Sequence, residues 1–171
     1  MMASKYKNQR IGIFIDIQNL YHSAKNLYHG RVNYKELLKI LAGNRQLIRA
    51  IGYVVKSDTA EGSSEAAFFD ALEKAGIELR VKDLQIFAGG VKKADWDVGM
   101  AVDAIRMANS LDAVVIVTGD GDFTPLVEYL KWGLGKHVEV AAFGRSTSSK
   151  LREAADFFID LDKIPKIVFK R

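Results

Sequence analysis

The chain has 171 residues, 49% of them hydrophobic, with a formal net charge of +4 and a pI near 9.2, so we expect one globular domain whose charge suits a polyanionic partner. It contains no cysteine, which excludes disulfides, zinc–thiolate sites and thiol nucleophiles. No stretch approaches the roughly 20 apolar residues of a membrane span, and the basic segment 1–10 is a poor signal peptide, so we expect a cytoplasmic protein without a membrane partner.

Short apolar runs rich in β-branched residues alternate along the chain with segments of helical periodicity. In chain order, the predicted elements are strand 11–17, helix 18–27, helix 34–41, strand 47–55, helix 64–75, strand 77–81, an extended piece 84–87, helix 96–109, strand 113–117, helix 125–132, strand 138–143, helix 149–155 and edge strand 157–161. This alternation predicts a three-layer α/β fold with a parallel sheet of about five to six strands and helices on both faces. The predicted domain is 11–161, followed by a basic tail at 162–171.

Several predicted helix ends carry recognisable capping residues. Asn33, with Glu36 three positions later, resembles a capping box. Gly76 suits the end of the helix that precedes it. Asp95 is the expected N-cap of the helix 96–109.

Four aspartates fall where strands should end or a helix should begin. Asp16 closes the first apolar run, Asp120 and Asp122 follow the run 113–117, and Asp97 lies at a predicted helix start. The carboxyl ends of parallel strands form the ligand crevice of such a sheet. Acids gathered there repel one another, and Mg²⁺ is a cation that carboxylates and phosphate oxygens bind together. The sequence therefore predicts a metal site for phosphate chemistry.

Each aspartate also has a simpler structural explanation. Asp16 or Asn19 could cap the following helix, and Asp97 lies in a first helical turn, where the helix dipole favours acids. The segment 118–123 is harder to explain in this way, because two acids and two glycines directly follow a fully apolar strand. Glycines there would let the backbone turn sharply and approach a ligand closely. We therefore favour a functional role for this loop.

Neighbouring polar residues are assigned supporting positions. Asn19 can supply a neutral amide to the space beside Asp16. Asp103 lies six positions after Asp97, or about 600° of helical rotation, so these two acids are roughly 120° apart and cannot both chelate one ion comfortably. Asp103 is therefore expected to support the metal-binding acids or to have a structural role. Thr118, which precedes the acidic loop, is also assigned a supporting position.

Other common site signatures are missing from the sequence. It contains no P-loop and no complete dinucleotide fingerprint. His22, His29 and His137 do not have metal-ligand spacing. His22 lies near Asp16 along the chain and could contact a substrate, although a surface or capping role is favoured.

Four segments carry a family resemblance, and they are IFIDIQNL at 13–20, ADWDVGMAVD at 94–103, TGDGDF at 118–123 and SKLREAADFF at 149–158. The first resembles the hydrophobic-Asp-x-x-Asn opening of NYN domains, and the third resembles their Ser/Thr-Gly-Asp-x-Asp-Phe loop. The second resembles the central acidic segment in the LabA-like branch, and the fourth is similar to the closing segment. In this order, the matches extend over about residues 11–161.

The resemblance implies the fold and the activity of the PIN-like nucleases, to which NYN domains belong. It implies a sheet of PIN-like, Rossmann-like type and an RNase that depends on Mg²⁺ or Mn²⁺. Carried over position by position, the metal-binding acids are Asp16, Asp97, Asp120 and Asp122, and Asn19 is a further catalytic-site residue. The leading hypothesis is a metal-dependent endoribonuclease that hydrolyses RNA phosphodiester bonds.

Basic residues are the candidate contacts to the RNA backbone, whether the RNA is single-stranded or structured. The candidates are Lys92, Lys93, Arg31, Lys56 and Arg145. Arg145 and Lys150 flank a serine-rich loop at 146–149 that could also contact phosphates. The oligomeric state is left open, with a homodimer as one option.

Two other functions are consistent with parts of the sequence. A regulatory RNA-binding module of the same fold would keep the acids without turnover. A phosphatase of the haloacid-dehalogenase type would need a second Asp two residues after its nucleophile. Asp16 is instead followed by Ile17 and Gln18, which argues strongly against the phosphatase.

Overall fold

The computed structural model describes residues 6–56, 62–83, 85–86, 92–93 and 95–170. Strands alternate with helices through most of this length. The strands are β1 (Arg10–Asp16), β2 (Gly30–Val32), β3 (Gln46–Lys56), β4 (Glu78–Asp83), β5 (Gln85–Ile86), β6 (Lys92–Lys93), β7 (Ala113–Val117), β8 (His137–Ala142), β9 (Phe157–Asp160) and β10 (Val168–Lys170). The α-helices are α1 (Ile17–Tyr28), α2 (Tyr34–Ala42), α3 (Gly62–Lys74), α4 (Asp97–Met107), α5 (Thr124–Glu128) and α6 (Ser149–Ala154).

Shorter helical turns extend or connect these elements. A 3₁₀ turn at Ala108–Ser110 prolongs α4, and a π-helical turn at Tyr129–Gly133 prolongs α5. Further 3₁₀ turns occupy Gly121–Phe123, Gly144–Ser146 and Leu161–Lys163. Two of these turns follow the carboxyl ends of β7 and β8, so they shape the loops at that edge of the sheet.

The main sheet is parallel, with the strand order β4-β3-β1-β7-β8-β9. From β1 the chain first builds outward through β3 and β4, and then returns to the other side of β1 to build β7, β8 and β9. The direction of winding therefore reverses between β1 and β7. In an open α/β sheet, such a switch point opens a crevice at the carboxyl ends of the two strands.

Helices cover both faces of this sheet and complete three layers. Successive residues of β1 point to opposite faces, because strand side chains alternate. Ile13 and Ile15 belong to one apolar cluster with Leu20 of α1 and residues of α2 and α3. Phe14 belongs to a second cluster with Met100 of α4 and residues of α5 and α6. The predicted three-layer parallel fold is confirmed.

A buried ion pair lies under the first cluster, at the junction of α2 and β3. Arg45 contacts both carboxylate oxygens of Glu139 in β8, with N–O distances of 2.7 and 3.0 Å. Both side chains are only 4% exposed. Arg45 also donates to the carbonyl oxygen of Leu41 and to the side chain of Gln9. The guanidinium is thereby compensated despite its burial.

The structure adds pairings that the sequence pattern does not predict. β2 pairs antiparallel with β10, and the buried Ile167 belongs to the first apolar cluster, so the segment after 161 packs on the sheet domain. β2 is too short to show a strand periodicity. Of the predicted extended piece 84–87, only residues 85–86 are among the described ones, and they form β5, which pairs with β6.

The start of α4 differs by one residue from the prediction. The residue that precedes the helix is Trp96 rather than Asp95. Asp95 still accepts a hydrogen bond from the backbone N–H of Asp97, at 3.2 Å, so its carboxylate satisfies a donor of the first turn from one position farther out.

None of the helices in the described part of the chain combines the length and the apolar character that a membrane crossing requires.

Candidate metal centre

Asp16 is the last residue of β1 and lies beside Thr118, because Ile15 pairs with Val117 in the neighbouring strand. The Thr118 hydroxyl donates to Asp16 Oδ2 at 2.9 Å, and the Asn19 backbone N–H donates to Asp16 Oδ1 at 3.1 Å. Asp16 therefore caps α1 and also lies at the crevice. The capping explanation and the functional one do not exclude each other.

The loop after β7 is held by a chain of hydrogen bonds. Asn19 Oδ1 accepts from the Gly119 N–H at 3.0 Å, which ties α1 to this loop. The Asp120 N–H donates to the Thr118 hydroxyl at 3.2 Å. Asp120 Oδ1 in turn accepts from the Asp122 N–H at 2.9 Å. Asn19 and Thr118 thus fix the position of the loop that carries two of the acids.

The two glycines of this loop serve a different purpose from the one we predict from sequence. Neither Gly119 nor Gly121 has a positive φ, so neither makes a turn that only glycine allows. A Cβ atom at 119 would lie 2.7 Å from the carbonyl oxygen of Ser146, and one at 121 would lie 2.7 Å from the hydroxyl of Ser148. Because they have no side chain, the two glycines leave room for the serine-rich loop after β8 to pack against this loop.

Three of the predicted metal-binding acids come together. Asp97, Asp120 and Asp122 each offer a carboxylate oxygen, and these oxygens lie within 4.8 Å of one another. Asp97 and Asp120 are half-buried, whereas Asp122 is exposed. Asp16 is not part of this trio, but it lines the same cavity as Asp97 and Asp120. We refer to Asp97, Asp120 and Asp122 as the carboxylate cluster.

Burial and neighbouring negative charges raise the pKa of two of the acids, Asp97 and Asp16. Burial raises the pKa of Asp97 to about 6, and the negative charges of Asp120, Asp95, Asp16 and Asp122 add to this effect. Burial likewise raises the pKa of Asp16, although hydrogen bonds from Asn19 and Thr118 act in the opposite direction. A cation bound among these carboxylates would offset the repulsion.

The donor set fits a hard divalent cation. All of the clustered ligand atoms are carboxylate oxygens, which Mg²⁺ and Mn²⁺ accept. Among the described residues, no lysine, arginine or histidine forms an ion pair with Asp97, Asp120 or Asp122. The negative charge of the cluster is therefore left for a ligand to neutralise.

The cavity beside the cluster has a volume of about 350 Å³. Tyr53, Asp95 and Trp96 line one part of its wall, and residues of α1 line another part. The Trp96 indole donates to the carbonyl oxygen of Val54 at 2.8 Å and packs near Tyr53 at a ring distance of 5.4 Å. The tryptophan is therefore fixed as part of the wall.

Sequence reasoning does not identify Tyr53 as a residue that lines the cavity, nor Lys82 as a residue that contacts Trp96. The Lys82 ammonium lies 5.2 Å from the Trp96 ring centre and donates to the Asp95 carbonyl oxygen at 3.0 Å. The available signal for Lys82 is its position near the carboxyl end of β4. Tyr53 lies within a buried strand, where its sequence context resembles that of any core aromatic.

Asp103 is buried on α4 away from the cluster. It accepts a hydrogen bond from the Tyr53 hydroxyl at 2.8 Å, and it forms ion pairs with Arg80 at 3.2 Å and Arg106 at 3.9 Å. Asp103 does not line the cavity, but its hydrogen-bond partner Tyr53 does. This placement agrees with the angular separation from Asp97 expected along the helix.

Of the predicted basic contacts, Arg145, Arg31 and Lys56 are not among the residues that line the cavity. The Arg145 guanidinium lies over the Tyr28 ring at 5.0 Å and pairs with Asp162 at 3.2 Å. Arg31 is exposed on β2, and Lys56 is exposed at the carboxyl end of β3. The backbone of Lys92 and Lys93 forms β6, but their side chains lie outside the described residues.

A family model for the NYN domain matches residues 10–162. The chain belongs to the NYN domain family. This membership confirms the resemblance carried by the four sequence segments, and it places the chain among the PIN-like nucleases. The clustered acids lie at the positions where the family resemblance assigns metal-binding acids.

Two known proteins are similar to this NYN domain over most of its length. The low amplitude and bright protein LabA of Synechococcus elongatus is 27% identical over 172 residues, which cover 96% of this chain and 90% of LabA. The crystal structure of a Vibrio parahaemolyticus protein of unknown function has a TM-score of 0.85 and 29% identity, covering 95% of this chain and 98% of that one. The NYN domain is thus of the LabA-like type.

Proposed function

We propose that this NYN domain is a metal-dependent endoribonuclease, which hydrolyses internal phosphodiester bonds of cytoplasmic RNA with Mg²⁺ or Mn²⁺. The observation that supports this most is the carboxylate cluster at the switch point between β1 and β7. Caps and ion pairs can account for one acid at a time. They do not account for three carboxylates within 4.8 Å of one another and a fourth on the same cavity.

In this proposal, Asp97, Asp120, Asp122 and Asp16 hold the metal. A divalent cation supplies positive charge at the phosphate and lowers the pKa of water. Asn19 contributes by holding the Gly119 backbone, which keeps Asp120 in place. The carboxylates would hold the cation at a fixed position in the crevice, and fixed positioning of the reacting groups is the main requirement of phosphoryl transfer.

RNA is the proposed substrate because the family resemblance favours it and the charge of the chain suits it. The net charge is +4 even though four acids gather at one site. Cations such as Arg31 and Lys56 are exposed elsewhere on the surface. Such a distribution favours binding of a phosphate backbone along the surface that surrounds the acidic crevice.

The test is cleavage of a circular RNA, which has no ends and therefore reports internal cleavage alone. We expect linear products with Mn²⁺ or Mg²⁺ and none with EDTA. Asp120→Asn should fold normally, gain stability in EDTA because a repulsive charge is removed, and lose activity by roughly 10²-fold or more.

A matched control is Asp70→Asn, which removes an exposed acid that pairs with Lys74 on α3. This variant should cleave like the wild type. Wild-type turnover by Asp120→Asn would contradict the proposal. Binding of RNA without cleavage under any metal would point instead to the non-catalytic RNA-binding module.

A further inference from the structure

One wall of the cavity is a polar face of α1. Gln18, His22 and Asn26 follow one another at intervals of four residues, and Ser23 lies in the adjacent row, so all four share one side of the helix. Ser146, from the loop after β8, faces them and donates to the Ser23 hydroxyl at 3.1 Å. We call the part of the cavity that this face and Ser146 line together the α1 groove.

The α1 groove is continuous with the carboxylate cluster but has a different chemistry. Its polar groups are amides, hydroxyls and an imidazole, and no lysine or arginine occurs among the described residues that line the cavity. Neutral groups of this kind donate and accept hydrogen bonds, as base edges and ribose hydroxyls do. Phosphates, in contrast, are usually bound by cations or backbone N–H groups.

The groups of the groove have free hydrogen-bonding capacity. Within the described part of the chain, the side-chain amides of Gln18 and Asn26 have no hydrogen-bond partner, and neither do the ring nitrogens of His22. The His22 ring makes an edge-on contact with the ring of Tyr21, at a centre-to-centre distance of 5.5 Å. A solvated helix face would also leave such groups free, but here they line a cavity of small-ligand size that already contains Asp16, Asp97 and Asp120.

A cation lies beyond the far end of the groove. α1 starts at the carboxylates and has 12 residues, a length of about 18 Å. Its last residue, Tyr28, packs against Phe143 beyond the end of β8, so the helix runs along the carboxyl edge of the sheet. Arg145 lies over this tyrosine, and Asp162 contacts both residues. The order along α1 is therefore acids, neutral polar groups and a guanidinium.

We propose that the α1 groove binds one unpaired nucleoside of single-stranded RNA next to the phosphate held at the carboxylate cluster. Asn26, His22 and Ser23 bond to its base edge and 2′-hydroxyl, and Arg145 binds the phosphate beyond it. The inference rests on the proposed function, because that function places a phosphate at the cluster. It makes the protein selective for RNA over DNA and for single strands over duplexes, since base edges are available for recognition only when unpaired.

The experiment measures binding without turnover. Fluorescein-labelled uridylate and deoxyuridylate nonamers, which differ at the 2′-hydroxyl, are titrated with the full wild-type chain in Ca²⁺, and electrophoresis verifies that they stay intact. We expect RNA to bind about tenfold more tightly than DNA, as for one or two additional hydrogen bonds. The double variant His22→Ala/Asn26→Ala should lose most of this preference while its affinity for DNA stays within about twofold.

Two further variants separate the roles. Asn109→Ala removes an exposed amide after α4, outside the cavity lining, and should behave like the wild type. Arg145→Gln should weaken RNA and DNA equally and reduce the log–log salt slope by about 0.7, as for one phosphate contact on a single strand. Alanine suits helices, so the α1 double variant should remain folded.

The outcomes distinguish this inference from the proposed function. Equal binding of RNA and DNA by the wild type, or equal weakening of both by the α1 double variant, would overturn the groove as a nucleoside site. RNA-selective binding that the double variant abolishes supports the groove even if no RNA is ever cleaved, and in that case only the nuclease proposal fails.

Discussion

At the scale of single residues, the site is a set of acids that the fold places close together against their mutual repulsion. Asp16 also shows that one side chain can serve two purposes, because it caps α1 while lining the cavity. Asp97 is the acid whose pKa rises to about 6, and burial is the largest cause. The free energy of unfolding should therefore depend on pH in a way that can be assigned to this carboxylate.

The first prediction concerns the pH dependence of stability in EDTA. The pKa of Asp97 is about 6 in the folded protein, against about 4 for an unfolded aspartate. The folded protein thus binds this proton more tightly, so its stabilising effect is complete below about pH 4 and is lost as the pH rises through about 6. We expect the Tm to fall over this range, and to fall less in Asp97→Asn.

Thermal unfolding between pH 4 and pH 8 checks this expectation, and the difference between wild type and variant isolates the contribution of Asp97. Asp70→Asn is again the control, because its carboxylate is exposed. If the Tm of the wild type and that of Asp97→Asn change with pH in the same way, the pKa of Asp97 is not raised in the folded protein. Added Mg²⁺ should raise the Tm of the wild type more at pH 7 than at pH 5, because binding requires the deprotonated carboxylates.

The second prediction concerns the glycines of the loop after β7. In Gly119→Ala, the new methyl group would approach the Ser146 carbonyl oxygen, which belongs to the backbone and cannot rotate away. We expect a loss of roughly 1–3 kcal/mol in the free energy of unfolding, as for overpacked cores. Gly121→Ala should cost less unfolding free energy, because its shortest contact is with the Ser148 hydroxyl, which can rotate away, and the Ser148 Cβ atom is farther off at 3.0 Å. Urea unfolding of both variants measures the two losses of unfolding free energy, and equal losses would contradict the prediction.

At the scale of elements, the Arg45–Glu139 pair joins the start of β3 to β8 across the interior. Both charges are buried and compensated, so removal of one partner leaves the other without a counter-charge. We expect Glu139→Leu to lose about 3–5 kcal/mol of unfolding free energy, and Arg45→Leu/Glu139→Leu to recover most of it. The measurement is chemical unfolding of the two variants.

A surface pair supplies the comparison for this third prediction. Arg49 and Glu78 join β3 to β4 with 41% and 47% of their side chains exposed. Arg49→Ala should cost no more than about 1 kcal/mol, because water screens exposed charges. Equal losses of unfolding free energy in Glu139→Leu and Arg49→Ala would contradict this prediction. So would a double leucine variant that is no more stable than Glu139→Leu, because the buried charge of Arg45 would then not be what destabilises the single variant.

At the scale of the whole molecule, the winding of the sheet sets where the site lies and the charge distribution sets how a polyanion would approach it. The reversal between β1 and β7 opens the crevice. The acids lie in this crevice, while Arg31, Lys56 and Arg145 lie outside its lining. RNA affinity should therefore depend on salt through cations around the site rather than within it.

The fourth prediction uses the lysine pair that precedes Asp97 in the sequence. Lys92→Ala/Lys93→Ala should flatten the log–log salt dependence of single-stranded RNA binding by about 1.4, at about 0.7 for each phosphate contact. The rate of cleavage of bound RNA should fall less in the double lysine variant than in Asp120→Asn, because in the proposed mechanism the lysines position the RNA backbone and the acids bind the metal. An unchanged slope would mean that RNA approaches by another face, with Arg145 and Lys150 as the next candidates.

What the sequence by itself determined were the features that short-range patterns encode. Apolar runs and helical periodicity predict the main strands and helices, because each element must bury one face. The order of the acidic segments identifies the NYN domain, which the family match confirms. Asp16, Asp97, Asp120 and Asp122 are predicted to gather at one site; the last three have carboxylate oxygens within 4.8 Å of one another, and Asp16 lines the same cavity. Asp16 and Asp120 could be placed together from sequence because they come at or just after the ends of neighbouring parallel strands, which end at one edge of the sheet.

Only the tertiary structure decided which distant side chains became partners. Asn19 holds Gly119 across 100 positions, and Arg45 meets Glu139 across 94. The pairing of β2 with β10, the Lys82 contact with Trp96 and the α1 groove are of the same kind. Such contacts follow from strand order, register and the path of α1 along the sheet edge. Those are set by packing of the whole chain, and no local periodicity carries them.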